Sequence, residues 1–295
     1  MSSNGHILIR TQDTGSAAMQ SLFVKEYVND DGTVLPVLYS PLLEKDANGE
    51  LFMHMFTTRC GGVSKGPYAS MNPSYSRGDR TEDVTENFRR IAAAAGIGCE
   101  RFVLSQQTHT DNVRVVTAED AGKGVVRDRD YTDVDALVTN EKGLVLTVYI
   151  ADCVPVLLAD PVHKAIGAVH SGWRGTAKQI VRRTLEVMGN MYGTKPQDVY
   201  AAIGPCICQD CYEIGPEVAA EFGYDGKILK KGKGDRYHLD LRKANLNLLL
   251  SAGLRREHIT AGDVCTCCNR DVLFSHRGNG PVRGTLAGLI ALKID

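Results

Sequence analysis

This sequence lacks an excess of either positive or negative charge. Its 34 lysines and arginines nearly equal its 35 aspartates and glutamates, which leaves a formal net charge of −1. Proteins that bind nucleic acid or anionic membranes through long-range electrostatics carry a basic excess or a basic patch. We therefore expect no nucleic acid and no membrane among the partners, and any anionic substrate has to be held by local groups.

Long hydrophobic runs and targeting segments are also lacking. The most apolar segment, residues 143–159, is shorter than a typical membrane-spanning helix and carries Asp152 in its middle. Residues 1–20 have no basic region followed by an apolar one, the pattern of a secretory signal. These features predict a cytoplasmic protein.

Histidine is scarce, with eight residues, whereas cysteine is not, with nine. In a cytoplasmic enzyme, nine cysteines are more typical of thiols or metal ligands than of a disulfide framework. Six of them form two groups: Cys206, Cys208 and Cys211, then Cys265, Cys267 and Cys268. Taken as C-x-C-x-x-C and C-x-C-C, the groups do not match the paired C-x-x-C of a zinc ribbon, so a structural metal and simple buried thiols both stay open.

No repeat, low-complexity tract or linker divides the chain. Residues 1–20 are polar and contain glycine and serine, which predicts a flexible N-terminus, and residues 21–295 are predicted to form a single catalytic domain. Helical periodicity predicts helices from Thr81 to Gly96, over residues 176–193 and 215–222, and over residues 238–253.

The chemistry is concentrated between residues 143 and 175, in two apolar runs separated by the turn Asp160-Pro161. Such runs, rich in valine, isoleucine and leucine, predict buried strands. Because a short connection usually leaves consecutive strands adjacent, Cys153 and His170 should face each other across about 5 Å. A thiol and an imidazole at that distance form either a nucleophile pair or two metal ligands.

A third candidate is His109, in the polar centre of the stretch RFVLSQQTHTDNVRVV. Two imidazoles and one thiolate suit zinc and leave a fourth position for water or substrate. Asp152 would share the site only if its strand ends or bulges there. The alternative interpretation is a buried thiol with two hydrogen-bonded histidines.

Arg174 lies in the turn Gly172-Trp173-Arg174-Gly175, which leads from a strand into a predicted helix. Backbone N–H groups and the helix dipole favour anions at such a turn, and arginine can bind phosphate with two hydrogen bonds. The turn lacks the Walker spacing, so it is a weak indication by itself.

Between about residues 51 and 277 the chain contains, in order, TTRCGGVSKGPYASMN, LSQQTHTDNV, DVDALVT, ADCVPVLLAD, VHSGWRGT, AIGPCI with CYEIGPEV, and LDLRKAN followed by VCTCC and LFSHR. With their similar gaps, these strings resemble the laccase-domain family. Its members, once called multicopper polyphenol oxidases, are described as purine nucleoside phosphorylases and peptidoglycan-editing factors.

The resemblance implies an α+β fold of packed mixed β-sheets flanked by helices, similar to a deamidating toxin. It also implies a Zn²⁺ ion bound by His109, Cys153 and His170. The implied activity is phosphorolysis of adenosine, inosine and methylthioadenosine, with adenosine deamination as a second reaction. A copper oxidase is a poor fit, because blue-copper sites add methionine and trinuclear sites need many histidines.

The expected mechanism uses groups outside the metal ligands. Arg59, with N–H groups of Gly61 and Gly62 or of the 172–175 turn, would hold phosphate against the sugar. Asp152 is the candidate proton carrier. The zinc deaminases of nucleobases use H-x-E and P-C-x-x-C motifs, which this sequence does not contain.

Gln107 and Arg277 complete the expected substrate and phosphate contacts. Where relatives tend to have S-H-R-R-D followed by T-G-R, this chain has SHRGNGPVRGT. Arg277 and Arg283 are therefore expected to supply the same charges.

Two other classes of function stay open. In a cysteine amidase or hydrolase that edits peptidoglycan precursors, Cys153 would attack and His170 would act as the base. In a non-enzymatic metal-binding or redox protein, the two cysteine groups would carry the function. The sequence has no signal for an oligomeric state.

Overall fold

The computed structural model describes residues 21–44 and 51–294. Residues 1–20, predicted to be flexible, lie outside the described part of the chain. Within it, no helix has the length and apolar character needed to cross a membrane.

Strands predominate over helices. Fifteen strands lie in the described residues: β1 (Phe23–Val28), β2 (Val34–Tyr39), β3 (Phe52–Thr57), β4 (Phe102–Leu104), β5 (Val113–Val115), β6 (Ala136–Thr139), β7 (Val145–Ile150), β8 (Val154–Asp160), β9 (Ala165–Ser171), β10 (Tyr200–Ile203), β11 (Glu213–Ile214), β12 (Leu229–Lys231), β13 (Tyr237–Leu239), β14 (Ile259–Ala261) and β15 (Leu286–Leu292). Six α-helices lie in the same part of the chain: α1 (Thr81–Ala95), α2 (Trp173–Ala177), α3 (Ile180–Tyr192), α4 (Pro216–Glu221), α5 (Leu241–Ser251) and α6 (His276–Asn279).

The strands form two six-stranded sheets and one of three strands. The first sheet has the order β1-β2-β3-β15-β7-β4, the second has β14-β10-β8-β9-β6-β5, and the small sheet has β11-β13-β12. Most neighbours are antiparallel, but β4–β7, β5–β6 and β10–β14 are parallel. The predicted α+β class with mixed sheets is confirmed.

The two large sheets pack face to face around an apolar core. Phe56 and Ile290 of the first sheet join Leu157 and Ala168 of the second in this core. Helix α1 covers the outer face of the first sheet, and α3 and α5 cover that of the second. Because β8 and β9 are covered on both faces, all their residues are buried, which explains their continuous apolar runs.

The predicted hairpin around Asp160-Pro161 is confirmed. Strands β8 and β9 pair antiparallel, with Pro155 opposite His170. The first apolar run, however, contains two strands, because β7 belongs to the first sheet and β8 to the second. The chain crosses between the sheets at residues 151–153, where Asp152 has a positive φ of 93°. The strand therefore ends before Asp152, which is the condition for Asp152 to share the site.

Helix boundaries agree with the sequence prediction only in part. Helix α1 ends at Gly96, which has a left-handed φ of 67°, as predicted. The helix predicted over residues 176–193 is two helices, α2 and α3, separated at Gln179, whose φ is 62°. The helix predicted over residues 238–253 begins only after β13, because the Asp240 side chain accepts a hydrogen bond from the Lys243 N–H and caps α5.

His54 makes stability dependent on pH. This residue of β3 is 6% exposed, and its Nε2 accepts a hydrogen bond from the Ser40 N–H at 3.0 Å. Burial lowers the pKa of His54 from 6.5 to about 4. An unfolded histidine binds a proton already below pH 6.5, so the stabilisation from neutral His54 is complete above that pH and is lost as the pH falls towards 4.

We predict that His54→Gln reduces the acid sensitivity of the fold. The difference between the two pKa values corresponds to roughly 3 kcal/mol of unfolding free energy lost by the wild type between pH 7 and pH 4. Urea unfolding at both pH values measures this loss, which should be smaller in the variant by about that amount. Equal losses in the two proteins would contradict the assignment.

Candidate active site

The three predicted metal ligands converge at one end of the second sheet. His109 comes from the loop between β4 and β5, Cys153 from the crossing before β8, and His170 from β9. Cys153 Sγ lies 3.7 Å from His109 Nε2, and the imidazole rings have centroids 5.0 Å apart. All three ligand atoms lie within 4.8 Å of one another.

The loop that carries His109 is held by the buried carboxylate of Asp135. This carboxylate accepts hydrogen bonds from the backbone N–H groups of Thr108, His109 and Thr110, at 2.8 to 3.2 Å. The bonds fix a tight turn in which His109 has a φ of 66°, an uncommon conformation for a side-chain-bearing residue. Sequence analysis gave Asp135 no role in the site.

The same carboxylate orients the second imidazole. Asp135 Oδ1 lies 2.7 Å from His170 Nδ1 and accepts a hydrogen bond from it. This bond leaves His170 Nε2 as the ring atom available to a metal, the usual arrangement at histidine metal sites. Burial raises the pKa of Asp135, but His170 and the backbone N–H groups outweigh it and keep the pKa below its ordinary value.

Gly172 provides the space in which His109 and Cys153 meet. A Cβ at this position would lie 2.7 Å from the His109 ring and 3.1 Å from Cys153 Sγ. The first of these distances is shorter than real Cβ contacts, so a side chain at position 172 would displace the imidazole. The glycine of the Gly172–Gly175 turn is therefore explained by packing against the ligands.

Cys153 and His170 shift each other's pKa. Burial raises the pKa of the Cys153 thiol, but the two histidines outweigh it and lower the pKa to about 6. Burial lowers the pKa of His170, but Cys153 and Asp135 raise it to about 9. Both shifts favour the thiolate–imidazolium form of the pair when no metal is bound.

The donor set fits a borderline metal such as zinc. Two imidazole nitrogens and one thiolate are the ligands that zinc prefers, and three protein ligands leave one position for substrate or water. No methionine lines the cavity next to the three ligands in the described part of the chain, so the axial ligand of a blue-copper centre is not provided.

A cavity of about 420 Å³ opens onto the three ligands, within the usual range for small-molecule sites. Its walls combine aromatic rings with guanidinium groups and one carboxylate. The lining residues other than the ligands include Arg77, Gln107, Tyr149, Asp152, Trp173, Arg174, Tyr212, His276, Arg277 and Arg283.

Asp152 lies in this cavity wall, 8% exposed. Its Oδ1 accepts a hydrogen bond from the Thr266 hydroxyl at 2.6 Å, and its Oδ2 accepts one from the Arg277 N–H at 2.7 Å. The carboxylate is thus fixed beside Cys153 with a defined orientation.

Arg59 is not brought to the cavity. Its guanidinium donates to the carbonyls of Ala69 and Arg270, each at 2.8 Å, and stacks on Phe274 at 4.6 Å. Neither Gly61 nor Gly62 lines the cavity. A Cβ at Gly61 would meet the backbone of residues 34 and 35, and one at Gly62 the backbone of residues 70 and 71.

The other predicted contact residues, Gln107, Arg174 and Arg277, line the cavity, and each is held by a different contact. The amide of Gln107 is bonded to both backbone groups of Tyr149, so it supports the cavity wall. Arg174 stacks on Trp173 with 4.1 Å between guanidinium carbon and ring centroid. Arg277 donates both terminal nitrogens to the Glu213 carbonyl at 3.1 Å.

Arg283 is the most buried guanidinium of the wall. It is 5% exposed, one terminal nitrogen donates to the Gly284 carbonyl, and Nε is buried without a hydrogen-bond partner. Burial and the neighbouring Arg77 lower the pKa of Arg283 to about 10. Burial and Arg283 also lower the pKa of His276. These shifts show that like charges are gathered here.

Sequence analysis did not single out the charged and aromatic cavity residues Arg77, Tyr149, Tyr212 and His276. Tyr212 and His276 lie inside the strings that carry the family resemblance, which was a usable signal. Arg77 precedes α1 in a loop without a recognisable motif, and only the tertiary structure brings it near Arg283.

Comparisons with known proteins agree with this architecture. A family profile described as "Multi-copper polyphenol oxidoreductase laccase" matches residues 53–293. The purine nucleoside phosphorylase of Deinococcus radiodurans is 39% identical over 264 residues, 88% of this chain and 93% of that protein. The adenosine deaminase RL5, from an unknown prokaryotic organism, is 32% identical over 232 residues, 76% of this chain and 88% of that protein.

A solved structure is also similar. The crystal structure of YlmD from Geobacillus stearothermophilus matches with a TM-score of 0.80 and 32% identity, over 88% of this chain and 96% of that chain. Fold and site together define a two-sheet α+β protein with a cysteine–histidine candidate metal centre in an open cavity. The chain belongs to the multi-copper polyphenol oxidoreductase laccase family, which confirms the resemblance inferred from the motifs.

We predict that Cys153 is an unusually reactive thiol in chelator-treated protein. Its alkylation by iodoacetamide, followed by peptide mass spectrometry, should reach half its maximal rate near pH 6, because the thiolate forms there. In His170→Gln the midpoint should move to a higher pH, since the imidazolium that lowers the pKa is gone. A wild-type midpoint near pH 9 would contradict the thiolate–imidazolium pair.

Proposed function

We propose that this protein is a zinc-dependent purine nucleoside phosphorylase that acts on adenosine, inosine and methylthioadenosine. One observation carries the proposal: a three-ligand cysteine–histidine site opens into a cavity whose wall carries four guanidinium groups, one of them, that of Arg283, buried. A metal centre beside an anion site suits a reaction in which phosphate attacks a sugar. The names of the relatives support the same reaction.

His109, Cys153 and His170 would hold the zinc ion. When bound, zinc supplies Lewis-acid polarisation of an oxygen at the open coordination position. Asp135 would keep both histidines in place, and Gly172 would keep the ligand atoms close enough to share one ion.

Arg283 and Arg77 would bind phosphate. A buried arginine with an unbonded nitrogen is costly unless an acceptor reaches it, and a phosphate oxygen is such an acceptor. His276 and Arg277 line the same wall and would add positive charge. Holding the dianion beside the sugar would convert an encounter of two molecules into a reaction within one complex.

Tyr149, Trp173 and Tyr212 would bind the purine, because aromatic walls stack on a flat heterocycle. In phosphorolysis the bond from C1′ to the purine nitrogen breaks and a bond from C1′ to a phosphate oxygen forms. The departing purine takes up one proton, which hydrogen phosphate gives up. Asp152 is the group positioned to carry that proton through its carboxylate.

Adenosine deamination would be a second reaction of the same cavity, in line with the name of the relative RL5. Because the proton-carrying glutamate of H-x-E is missing from the sequence, Asp152 would take that role here too. We place both reactions in the cytoplasm, where nine thiols stay reduced; all nine cysteines are free.

We predict that Cys153→Ser and His109→Gln each lose one equivalent of zinc relative to wild type. Phosphate-dependent release of adenine from adenosine should fall at least about a hundredfold in both, because polarisation by the metal is worth several kcal/mol. Metal analysis and chromatography of adenine, with and without phosphate, measure the two effects. The control is His163→Gln, a histidine outside the cavity that pairs with Asp160. Wild-type protein that contains zinc but releases no adenine would refute the phosphorylase.

A cysteine amidase is the second candidate, and one observation favours it. Cys153, His170 and Asp135 form a nucleophile, a base and an orienting carboxylate, with the pKa of the thiol lowered to about 6. The variant His109→Gln distinguishes the two functions. An amidase acting on peptidoglycan fragments should survive His109→Gln with zinc lost, whereas the phosphorylase should not. A protein in which neither activity is found would instead be a metal-binding or redox protein.

We predict that Arg283→Gln raises the KM for phosphate by about ten- to a hundredfold, the value of a lost charged hydrogen bond, and changes the KM for adenosine little. Initial rates at varied phosphate and fixed adenosine measure the effect. The matched control is Arg59→Gln, because Arg59 was the phosphate ligand expected from sequence and lies outside the cavity. If Arg59→Gln raises the KM for phosphate and Arg283→Gln does not, the assignment of Arg283 is wrong.

A further inference from the structure

Four cysteine thiols meet in a second cluster, apart from the three ligands in the cavity. The Sγ atoms of Cys208, Cys211, Cys265 and Cys268 all lie within 4.8 Å of one another. None of these four residues lines the cavity. Cys208 and Cys265 are buried, Cys211 is intermediate and Cys268 is exposed.

The structure selects two C-x-x-C pairs from the six clustered cysteines. Cys208 pairs with Cys211 in the loop before β11, and Cys265 pairs with Cys268 in the loop before α6. Cys206 and Cys267 are left out. The sequence interpretation that no paired C-x-x-C is present was wrong, because these two extra cysteines obscured the spacing. Two C-x-x-C pairs are the usual ligand set of structural zinc sites.

The distances within the cluster match a tetrathiolate site. With Zn–S bonds of about 2.3 Å, tetrahedral geometry places neighbouring sulfurs about 3.8 Å apart. Cys211 Sγ and Cys268 Sγ are 3.5 Å apart, well beyond the roughly 2.05 Å of a disulfide bond.

Backbone N–H groups around the cluster form hydrogen bonds with one of its sulfur atoms, Cys265 Sγ. Cys265 Sγ accepts hydrogen bonds from the N–H groups of Cys208, at 3.3 Å, and Cys268, at 3.4 Å. A parallel bridge between Cys206 and Cys265 holds the two loops in register. Hydrogen bonds to a ligand sulfur orient it and stabilise its thiolate form.

We propose that Cys208, Cys211, Cys265 and Cys268 bind one structural Zn²⁺ ion. The ion fastens the loop before β11 to the loop before α6, two segments more than fifty residues apart in sequence. Because all four positions are protein sulfurs, the site is closed and does not take substrate.

The zinc site supports one wall of the cavity. Thr266, between two of the ligands, donates its hydroxyl to Asp152 at 2.6 Å. Tyr212, the residue after Cys211, lines the cavity and packs against the Arg277 guanidinium at 5.4 Å. Loss of the ion therefore loosens Asp152 and Tyr212 without removing the ligands of the first metal.

Metal stoichiometry of the full chain tests the proposal. The protein is produced with zinc and reductant and studied by native mass spectrometry and elemental analysis. We expect two zinc equivalents in wild type and one in Cys268→Ser, the exposed member of the set. Cys153→Ser should also keep one equivalent. The matched control is Cys267→Ser, in the same loop but outside the cluster, which should keep both.

Cobalt spectroscopy identifies the ligands and does not depend on activity. Cys153→Ser reconstituted with Co²⁺ alone should show the intense visible bands of a tetrahedral tetrathiolate site, and a further Cys268→Ser change should remove them. If Cys268→Ser does not fold, the wild-type stoichiometry and the cobalt spectrum of Cys153→Ser still decide. A single zinc equivalent that Cys153→Ser loses and Cys268→Ser keeps, iron in place of zinc, or a Cys211–Cys268 disulfide in reductant-treated protein would each overturn the proposal. A single equivalent that Cys153→Ser keeps and Cys268→Ser loses would support it and would count against zinc in the cavity.

Discussion

The candidate active site depends on one buried carboxylate, that of Asp135. It accepts hydrogen bonds from three consecutive N–H groups of the loop that carries His109 and one from His170 Nδ1. A single group thus fixes both imidazoles, although they come from parts of the chain sixty residues apart. Without its partners a buried carboxylate would be costly, so the loop, the histidine and the carboxylate stabilise each other.

The crossing between the two sheets explains why the side chains of Asp152 and Cys153 face the same cavity. Adjacent residues of a regular strand point to opposite faces, which would separate the carboxylate from the thiol. At residues 151–153 the chain leaves the first sheet and enters the second, and the positive φ of Asp152 breaks the alternation. Both side chains then line one cavity. The edge between two packed sheets is where such irregular backbone is tolerated, since neither ladder continues there.

Local patterns indicated the three candidate ligands but not the arginine side chains of the cavity wall. The approach of Cys153 to His170 follows from the pairing of β8 with β9, whereas His109 lies in a loop that the Asp135 carboxylate holds. Arg77 and Arg283 meet only through tertiary packing, which no local pattern encodes. Arg59 was a reasonable expectation from its motif, but carbonyl groups of two loops already use its donors. The extra residues Cys206 and Cys267 obscured the two C-x-x-C pairs in the sequence. The positions of the sulfur atoms distinguish the pairs from them.

Charge balance favours an anionic substrate over a neutral amide. The proposed zinc ion, held by one thiolate and two neutral imidazoles, would carry a net charge of about +1. The cavity wall adds the guanidinium groups of Arg77, Arg174, Arg277 and Arg283, against the single carboxylate of Asp152. Part of this charge is buried with Arg283, and buried charge is stable only when it is paired. The phosphate dianion of the proposed phosphorolysis would pair with this charge, whereas an uncharged amide would not.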